Sequence, residues 1–276
     1  MMPISVVLVR HGQSESNLAK DMFENGQSLV NELALMSVHT SERRLTPLGI
    51  KQAQAAGRWL AANWFRPEEE PEYRFYVSPY VRALETAAHF GFGDDWRPDS
   101  RLMERNWGDL DQKPYSERSA RFAEEMERRK DFAFFWRPTN GETFQDVFLR
   151  LRDMTATLHR ECHDKKVVIV SHGETMWVWR TVLERWMPQQ LREAMLGQTN
   201  QVHIHNCRII EYTRQMEDGT LAQRLVRMRF VNPEAPDDPS TNLDWHPIPR
   251  RKWTHMDLFN YVNGFERFVP ITEAAA

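Results

Sequence analysis

The sequence predicts an α/β fold, a three-layer sandwich in which helices flank a mostly parallel sheet. Three short runs, 4–9, 73–77 and 167–170, are largely apolar or β-branched, which is typical of strands buried on both faces of a parallel sheet. Helical patterns separate the runs, and strands that alternate with helices form parallel βαβ units. In such a sheet, ligands bind beyond the carboxyl ends of the strands.

Four helices are predicted between and after these strands. The first begins at Thr46 and Pro47, a capping residue followed by proline in the first turn, and continues towards Trp64. The other three span about 80–90, 142–163 and 173–186, where apolar residues recur at helical spacing or follow a strand end.

Beyond residue 200 the pattern favours a C-terminal hairpin and tail. Residues 203–205, 207–213 and 221–231 look extended, and 217–219 reads as a turn, so we expect a β-hairpin. Residues 232–249 are rich in proline and aspartate and predict irregular structure. A short helix is expected around 255–262.

Two insertions separate core elements, at 18–44 and 116–137. Both are in a position to cover a site at the sheet edge. The second is rich in arginine and glutamate, and we expect most of its charges to belong to a solvated amphipathic helix.

The composition limits the classes of partner. The chain has 36 basic and 39 acidic residues and a net charge of -3, which argues against bulk binding to nucleic acid or an acidic membrane. The sequence starts with a strand pattern instead of a secretory signal, and no run is long and apolar enough to cross a bilayer. We therefore expect a soluble cytoplasmic protein. Its oligomeric state stays open.

The two cysteines, Cys162 and Cys207, lack metal-ligand spacing and are too few for a disulfide framework. We expect ordinary thiols.

Two of the three strands end in a histidine followed by glycine. Because the carboxyl ends of parallel strands meet at one sheet edge, His11 and His172 are expected side by side. Arg10 precedes the first histidine. Arg82 lies in the first turn of a helix, where free N–H groups and a partial positive charge suit an anion. Two imidazoles and two guanidinium groups form a compact site for a phosphate dianion.

These motifs resemble those of the histidine phosphatase superfamily, also called phosphoglycerate-mutase-like. The resemblance covers roughly the first 210 residues, and its blocks occur in the family order. The blocks are Arg10-His11-Gly12 with Ser14 and Asn17, Leu45-Thr46-Pro47-Leu48-Gly49, Ser78 through Ala87, Met103 through Leu110, Asn140-Gly141-Glu142-Thr143, and Ser171-His172-Gly173.

The resemblance implies a catalytic domain over residues 1–231, with 232–276 as an irregular C-terminal extension that packs on it. His11 would attack phosphorus and become phosphohistidine. Glu104 would protonate the leaving oxygen and then activate water. The groups that would bind the phosphoryl oxygens are Arg10, Asn17, Arg82 and His172. No metal or cofactor is required, and the implied partner is a small phosphorylated substrate.

Two assignments are open to alternatives. Asp109 and Asp111 compete with Glu104 for the acid role, because an isolated glutamate is usually solvated. Glu174 borders a catalytic block and is expected to be secondary. Several aromatic side chains suit either a substrate pocket or the core, namely Trp107, Tyr115, Phe134, Phe135 and Trp136.

A phosphatase is favoured over a phosphoglycerate mutase, and a non-catalytic phosphate-binding module is the weakest alternative. Mutases of the family carry a Glu-Arg-His-Tyr-Gly-type block followed by an Arg-Arg-Ser segment that binds the substrate carboxylate. Here the block reads Glu-Arg-Asn-Trp-Gly from Glu104, and no Arg-Arg-Ser follows. Residues 134–142 look closer to plant and fungal mutase-like phosphatases. The leaving group stays open among sugar phosphates, nucleotides, phosphoglycerates and phosphoproteins.

Overall fold

A computed structural model describes residues 1–68, 72–131, 133–198, 202–239 and 242–269. Within them, the central sheet has seven strands in the order β3-β2-β4-β1-β5-β6-β7. The strands are Ser5–Arg10 (β1), Tyr73–Val77 (β2), Trp96–Pro98 (β3), Lys166–Ser171 (β4), Ile209–Thr213 (β5), Arg227–Val231 (β6) and Leu243–Pro247 (β7). The strands β3, β2, β4 and β1 are parallel, and β5, β6 and β7 extend the sheet by antiparallel pairs.

Helices surround this sheet. In the described ranges they are Glu15–Glu24 (α1), Glu32–Ser37 (α2), Pro47–Asn63 (α3), Val81–Ala88 (α4), Tyr115–Arg121 (α5), Ala123–Asp131 (α6), Phe144–Glu161 (α7), Gly173–Glu184 (α8), Pro188–Met195 (α9) and His255–Val262 (α10). The four helices predicted within the βαβ units correspond to α3, α4, α7 and α8, and the helix expected around 255–262 is α10. None of the helices described here is long and apolar enough to span a membrane.

Alternate side chains of β1 enter two separate cores. Val6 and Leu8 pack in the cluster that contains the buried faces of α7 and α8. Val7 and Val9 pack in the cluster that contains α3 and α4. Because successive residues of a strand point to opposite faces, each face of the sheet is covered by helices. The predicted three-layer α/β fold is therefore confirmed.

Helix starts follow the capping signals in the sequence. The Thr46 hydroxyl accepts a hydrogen bond from Gly49 N at 3.1 Å, and Pro47 fills the first turn of α3. At α7, Thr143 and Asp146 form a reciprocal capping box, in which each side chain accepts from the other residue's backbone N–H.

The C-terminal region differs from the prediction in three places. The hairpin of β5 and β6 is present, but residues 203–205 form no strand and β6 begins at Arg227 instead of residue 221. The irregular structure expected over 232–249 is wrong for Leu243–Pro247, which pairs with β6 as an edge strand. An edge position tolerates the proline at the end of β7, since one side of the strand needs no partner. The extension thus joins the sheet through β7, whereas α10 has no buried residue. The domain boundary at residue 231 stays a prediction.

The two insertions form helices that contact each other. Residues 18–44 contain most of α1 and all of α2, and 116–137 contain α6 and most of α5. Tyr115 stacks on Phe23 with ring centroids 6.2 Å apart, and its hydroxyl donates to Ser16 O at 3.4 Å. We refer to residues 115–131, which comprise α5 and α6, as the cap segment.

Leu151→Ala should lower the free energy of unfolding by about 2–5 kcal/mol, because it leaves a cavity in a closely packed core. Leu151 is fully buried on α7, whereas Leu149 on the same helix is 56% exposed. Leu149→Ala should change that free energy by at most about 0.5 kcal/mol. Equal losses for the two variants in chemical denaturation would contradict the packing of α7 on the sheet.

Candidate active site

The strand register places His11 beside His172. Arg10 at the end of β1 lies opposite Ser171 at the end of β4, so the next residue of each strand leaves the sheet at the same level. His11 N continues the ladder and donates to Ser171 O at 2.9 Å. The two imidazole centroids are 5.0 Å apart, with an interplanar angle of 61°. The rings that the sequence places side by side are neighbours in the fold.

The contacts of His11 determine which ring nitrogen is basic. Nδ1 lies 2.7 Å from the carbonyl oxygen of Gly12, and a carbonyl only accepts, so Nδ1 carries the proton. Nε2 of the neutral ring is therefore unprotonated, and its lone pair accepts from Arg82 Nε at 3.2 Å. Burial lowers the pKa of His11 well below its usual value, and the positive charges of Arg82 and Arg10 lower it further.

Arg82 is buried at the start of α4, where the sequence predicts it. Its Nη1 donates to Thr40 O at 2.6 Å, and its Cζ lies 4.8 Å from the ring centroid of Tyr80. The guanidinium is thus held by a neutral carbonyl, by His11 and by an aromatic face. Its positive charge stays available to an anion at Nε2 of His11.

Arg10 approaches the same point from β1. Its Nη1 donates to Ile204 O at 2.8 Å, and its buried Nε has no hydrogen-bond partner in the described part of the chain. A Cβ at residue 173 would lie 3.3 Å from this Nε. Gly173 therefore lets α8 begin directly against the guanidinium.

His172 is fully buried and is fixed by one hydroxyl. Its Nε2 lies 2.7 Å from Ser78 Oγ, and that oxygen accepts from Tyr80 N at 3.3 Å. The Ser78 hydroxyl has one proton and two lone pairs, so this contact fixes the position of the ring for either tautomer. Nδ1 is buried and has no partner among the described residues. Burial, followed by the charges of Arg82 and the neighbouring His11, lowers the pKa of His172 well below its usual value.

Asn17 lies near the site but is largely occupied by helix capping. Its Oδ1 accepts from Ser14 N and from Ser14 Oγ, each at 3.1 Å, and thereby closes the capping box of α1. Asn206 Nδ2 donates to the same oxygen at 3.1 Å and to His11 O at 3.0 Å. Because Oδ1 is used in these bonds, the Nδ2 amino group of Asn17 is the part that would face phosphate.

The side chain of Glu104 lies against the N-terminus of α8, the helix that begins directly after His172. Its Oε1 accepts from Thr175 N at 3.1 Å and from Thr175 Oγ1 at 3.0 Å, and its Oε2 accepts from Glu174 N at 3.4 Å. Burial raises the pKa of Glu104, and the charge of Glu174 raises it further, whereas Arg82 opposes this rise. A carboxyl with a raised pKa is suited to donate a proton near neutral pH.

The competing aspartates have different surroundings. Asp109 is exposed and accepts from Asn140 Nδ2 at 3.0 Å. Asp111 is half-buried, its Oδ2 accepts from Trp107 N at 3.2 Å, and burial raises its pKa. Glu104 is the candidate that contacts the helix start carrying His172, so its position fits the acid role best.

A second polar cluster lies behind Glu104. Buried Arg105 donates from Nε and Nη2 to the carboxylate of Glu174, at 2.8 and 3.3 Å, and Trp107 Nε1 donates to it at 3.0 Å. Arg105 stacks on Trp107, on Phe144 and on buried Trp136. Trp107 and Trp136 therefore support this cluster, whereas Phe135 is 61% exposed.

Sequence reasoning gave no role to several residues that fix the site. Thr86 Oγ1 accepts from Gly12 N at 3.0 Å and so links α4 to the loop after β1. Thr175 and Asn206 hold Glu104 and Asn17. Thr86 belongs to a recognised block, but nothing in the local sequence marks the other two, because they act across the fold.

Among the described residues, no three His, Cys, Asp or Glu side chains are grouped as a metal site would require. Cys162 and Cys207 are free and buried.

Comparison with known proteins places this geometry in a family. The sequence pattern of the histidine phosphatase superfamily (branch 1) matches residues 6–223. The Phosphoglycerate mutase-like protein AT74 of Arabidopsis thaliana is 30% identical over 208 residues, which cover 69% of this chain and 60% of the plant protein. The chain thus aligns with less than two thirds of that relative's length.

Two further relatives have different names. A 2,3-bisphosphoglycerate-dependent phosphoglycerate mutase of Methylobacterium sp. is 30% identical over 192 residues, covering 65% of this chain and 80% of the mutase. A mycobacterial glucosyl-3-phosphoglycerate phosphatase, solved with VO3, has a TM-score of 0.58 at 22% identity, covering 75% of this chain and 92% of that one. At that identity the likeness concerns the fold. The match over most of the chain shows that this protein belongs to the histidine phosphatase superfamily, branch 1.

Proposed function

We propose that the protein is a phosphatase that hydrolyses phosphate monoesters of small molecules through a phosphohistidine at Nε2 of His11. One observation carries the proposal: the unprotonated Nε2 of a buried histidine lies 3.2 Å from Arg82 Nε and beside a second buried imidazole. A nucleophile and a cation for the phosphoryl oxygens are thus next to each other.

The reaction divides into two displacements. In the first, the Nε2 lone pair of His11 forms the N–P bond, the ester P–O bond breaks, and Glu104 gives its proton to the leaving oxygen. In the second, water attacks phosphorus, Glu104 accepts the water proton, and the N–P bond breaks to return the lone pair to Nε2. Covalent catalysis of this kind replaces one hard step by two easier ones.

The remaining groups stabilise the transferred charge. Arg82 and Arg10 supply fixed positive charges, on which phosphoryl transfer depends strongly. His172 is held through Nε2 by Ser78, and we assign its ring proton to Nδ1, which has no partner among the described residues and can donate to a phosphoryl oxygen. Asn17 adds its amide group. Arg82 and His172 are buried, and Arg10 and Asn17 are half-buried; all four are held by hydrogen bonds, so little reorganisation is needed when the charge develops.

The basic residues of α6 in the cap segment favour hydrolysis over mutase chemistry. A mutase must also hold the rest of a phosphoglycerate, and Arg129 is the basic residue of α6 that reaches the site. Its Nη2 donates to the Glu174 carboxylate at 3.0 Å, so its charge is already paired within the protein. This pairing leaves Arg129 less available to a phosphoglycerate carboxylate, which supports water as the phosphoryl acceptor. The cytoplasmic location expected from the sequence stays a prediction.

His11→Ala should abolish release of inorganic phosphate and remove the acid-labile phosphohistidine, because the bond to phosphorus forms at this ring. His159→Ala removes an exposed histidine on α7 and should leave turnover unchanged. Phosphate release is compared with interconversion of 3- and 2-phosphoglycerate on the same samples. Interconversion that exceeds phosphate release would assign a mutase, and full activity of His11→Ala would contradict both reactions.

The ring of His11 should stay neutral well below pH 6.5, because burial and two arginines disfavour its charged form. Nitrogen-15 NMR of the ligand-free protein measures the state of the ring directly, with His11→Gln used to assign the signal. As pH is lowered past about 6.5, the ordinary histidine midpoint, we expect the Nδ1-protonated neutral form to remain the main species. A titration centred at that midpoint would contradict the cationic pocket.

Glu104→Gln should slow alkyl phosphates about 10²–10⁴-fold, the usual contribution of a general acid, and aryl phosphates with good leaving groups far less. Only the poor leaving group needs the proton. Asp111→Asn is the matched control. A leaving-group effect in Asp111→Asn and none in Glu104→Gln would transfer the acid role to Asp111.

A further inference from the structure

Glu174 lies between the general acid and the cap segment. We propose that Glu174 is a positioning residue that links the docking of α6 to Glu104, so that the acid is fully competent only when the cap segment is docked. This inference rests on the proposed function.

The backbone of Glu174 helps to hold the acid. Glu174 N donates to Glu104 Oε2 at 3.4 Å, and the following residue, Thr175, donates twice to Oε1. Both carboxylate oxygens of Glu104 are thus set against the first turn of α8. A displacement of Glu174 would move the acid relative to His172, which is the N-cap of the same helix.

The side chain of Glu174 holds the cap segment. Arg129 Nη2 donates to Glu174 Oε1 at 3.0 Å, and its Cζ lies 4.8 Å from the ring centroid of Trp107. Its neighbours Arg128 and Lys130 are exposed. Arg129 is therefore the member of this basic triplet whose side chain attaches α6 to the catalytic core, and the backbone carbonyl of Lys130 accepts from Arg192 Nε on α9 at 2.6 Å.

The two arginines on Glu174 have different accessibility. The Arg105 side chain is 0% exposed and that of Arg129 is 28% exposed. Arg105 also belongs to the core side of the site and is stacked between aromatic rings. If α6 moves away, Arg105 still pairs with Glu174, and Arg129 is the contact that is lost. The Arg129–Glu174 contact is therefore the part of the link that can break and re-form when α6 moves.

Glu174 is also the carboxylate that acts most strongly on Glu104. Arg105 and Arg129 lower the pKa of Glu174 against the effect of its burial, so it stays negative and holds the pKa of Glu104 up. The other charged or titratable groups that face Glu104 from neighbouring elements are Arg82 and Tyr80 at α4, Arg10 at the end of β1, and Arg150 on α7, which is paired with Glu142.

The test compares three variants with an alkyl phosphate and p-nitrophenyl phosphate. Hydrolysis of the alkyl ester falls as pH rises through the pKa of Glu104, the general acid, and this fall is the basic limb of the pH profile. Glu174→Gln removes the negative charge near Glu104, so the limb should move to lower pH by about one unit. Glu174→Asp keeps the charge and should restore the wild-type limb. Arg129→Met should reduce kcat/KM for the alkyl ester about tenfold more than for the aryl ester without moving the limb to lower pH.

Arg128→Met is the matched control, since it removes an exposed charge one residue away and should match wild type with both esters. An unchanged limb in Glu174→Gln together with equal behaviour of Arg129→Met and Arg128→Met would overturn the link while the phosphatase assignment stands. Failure of wild type to hydrolyse either ester or to form phosphohistidine would overturn the proposed function and the link together. If Glu174→Gln does not fold, the two arginine variants on α6 still decide the outcome.

Discussion

The parallel pairing of β1 with β4 is the constraint on which the site depends. With Arg10 opposite Ser171, both histidines emerge at one level. A slip of one residue would separate the two imidazoles along the strands by about 3.3 Å and turn each side chain of β1 to the opposite face. Both faces are buried, so Val7 and Leu8 occupy different cores and resist such a slip. The hydrophobic cores thus fix the geometry of the polar site.

The site retains positive charge because its arginines are bound mainly by neutral groups. Arg82 and Arg10 donate to the backbone carbonyls of Thr40 and Ile204 and make no carboxylate ion pair within the described ranges. Burial without such a partner disfavours the charged forms, and the pKa of each arginine is lowered for this reason. A bound dianion would offset that cost. Burial lowers the pKa of His11, and the same two arginines lower it further, so the charges that suit an anion also favour the neutral nucleophile.

Much of the fold was predictable because its signals are local. Apolar runs gave β1, β2 and β4, the cap at Thr46 marked α3, and apolar residues at helical spacing indicated α7. The strands β3 and β7 were missed. β3 has only three residues. β7 contains Asp244 and His246 and depends on backbone pairing with β6, which a local sequence pattern does not reveal. Edge strands carry a weak periodic signal because they are not buried on both faces.

The candidate site shows the same division between local and distant information. His11 and His172 follow strand ends directly, and Arg82 lies in the first turn of the helix after β2, so the topology brought them together. The carbonyls and hydroxyls that orient them belong to residues such as Thr40 and Ser78, whose partners are 42 and 94 residues away in the chain. The orientations of Arg82 and of the His172 ring depend on these distant partners, whereas the tautomer of His11 depends on the adjacent carbonyl of Gly12. The sequence therefore indicated which groups meet but not how each side chain is oriented.

The acid role is best understood from the two carboxylates at the start of α8. A helix N-terminus favours negative charge, but two adjacent carboxylates repel each other, and their surroundings separate their pKa values. Glu174 has two arginines, and its pKa is lowered. Glu104 has only N–H and hydroxyl donors as hydrogen-bond partners within the described residues, and its pKa is raised by burial and by Glu174. Groups whose pKa values are driven apart in this way divide acid and structural roles between them. Because its pKa is lowered, Glu174 is poorly suited to donate a proton, and its negative charge adds to burial in raising the pKa of Glu104.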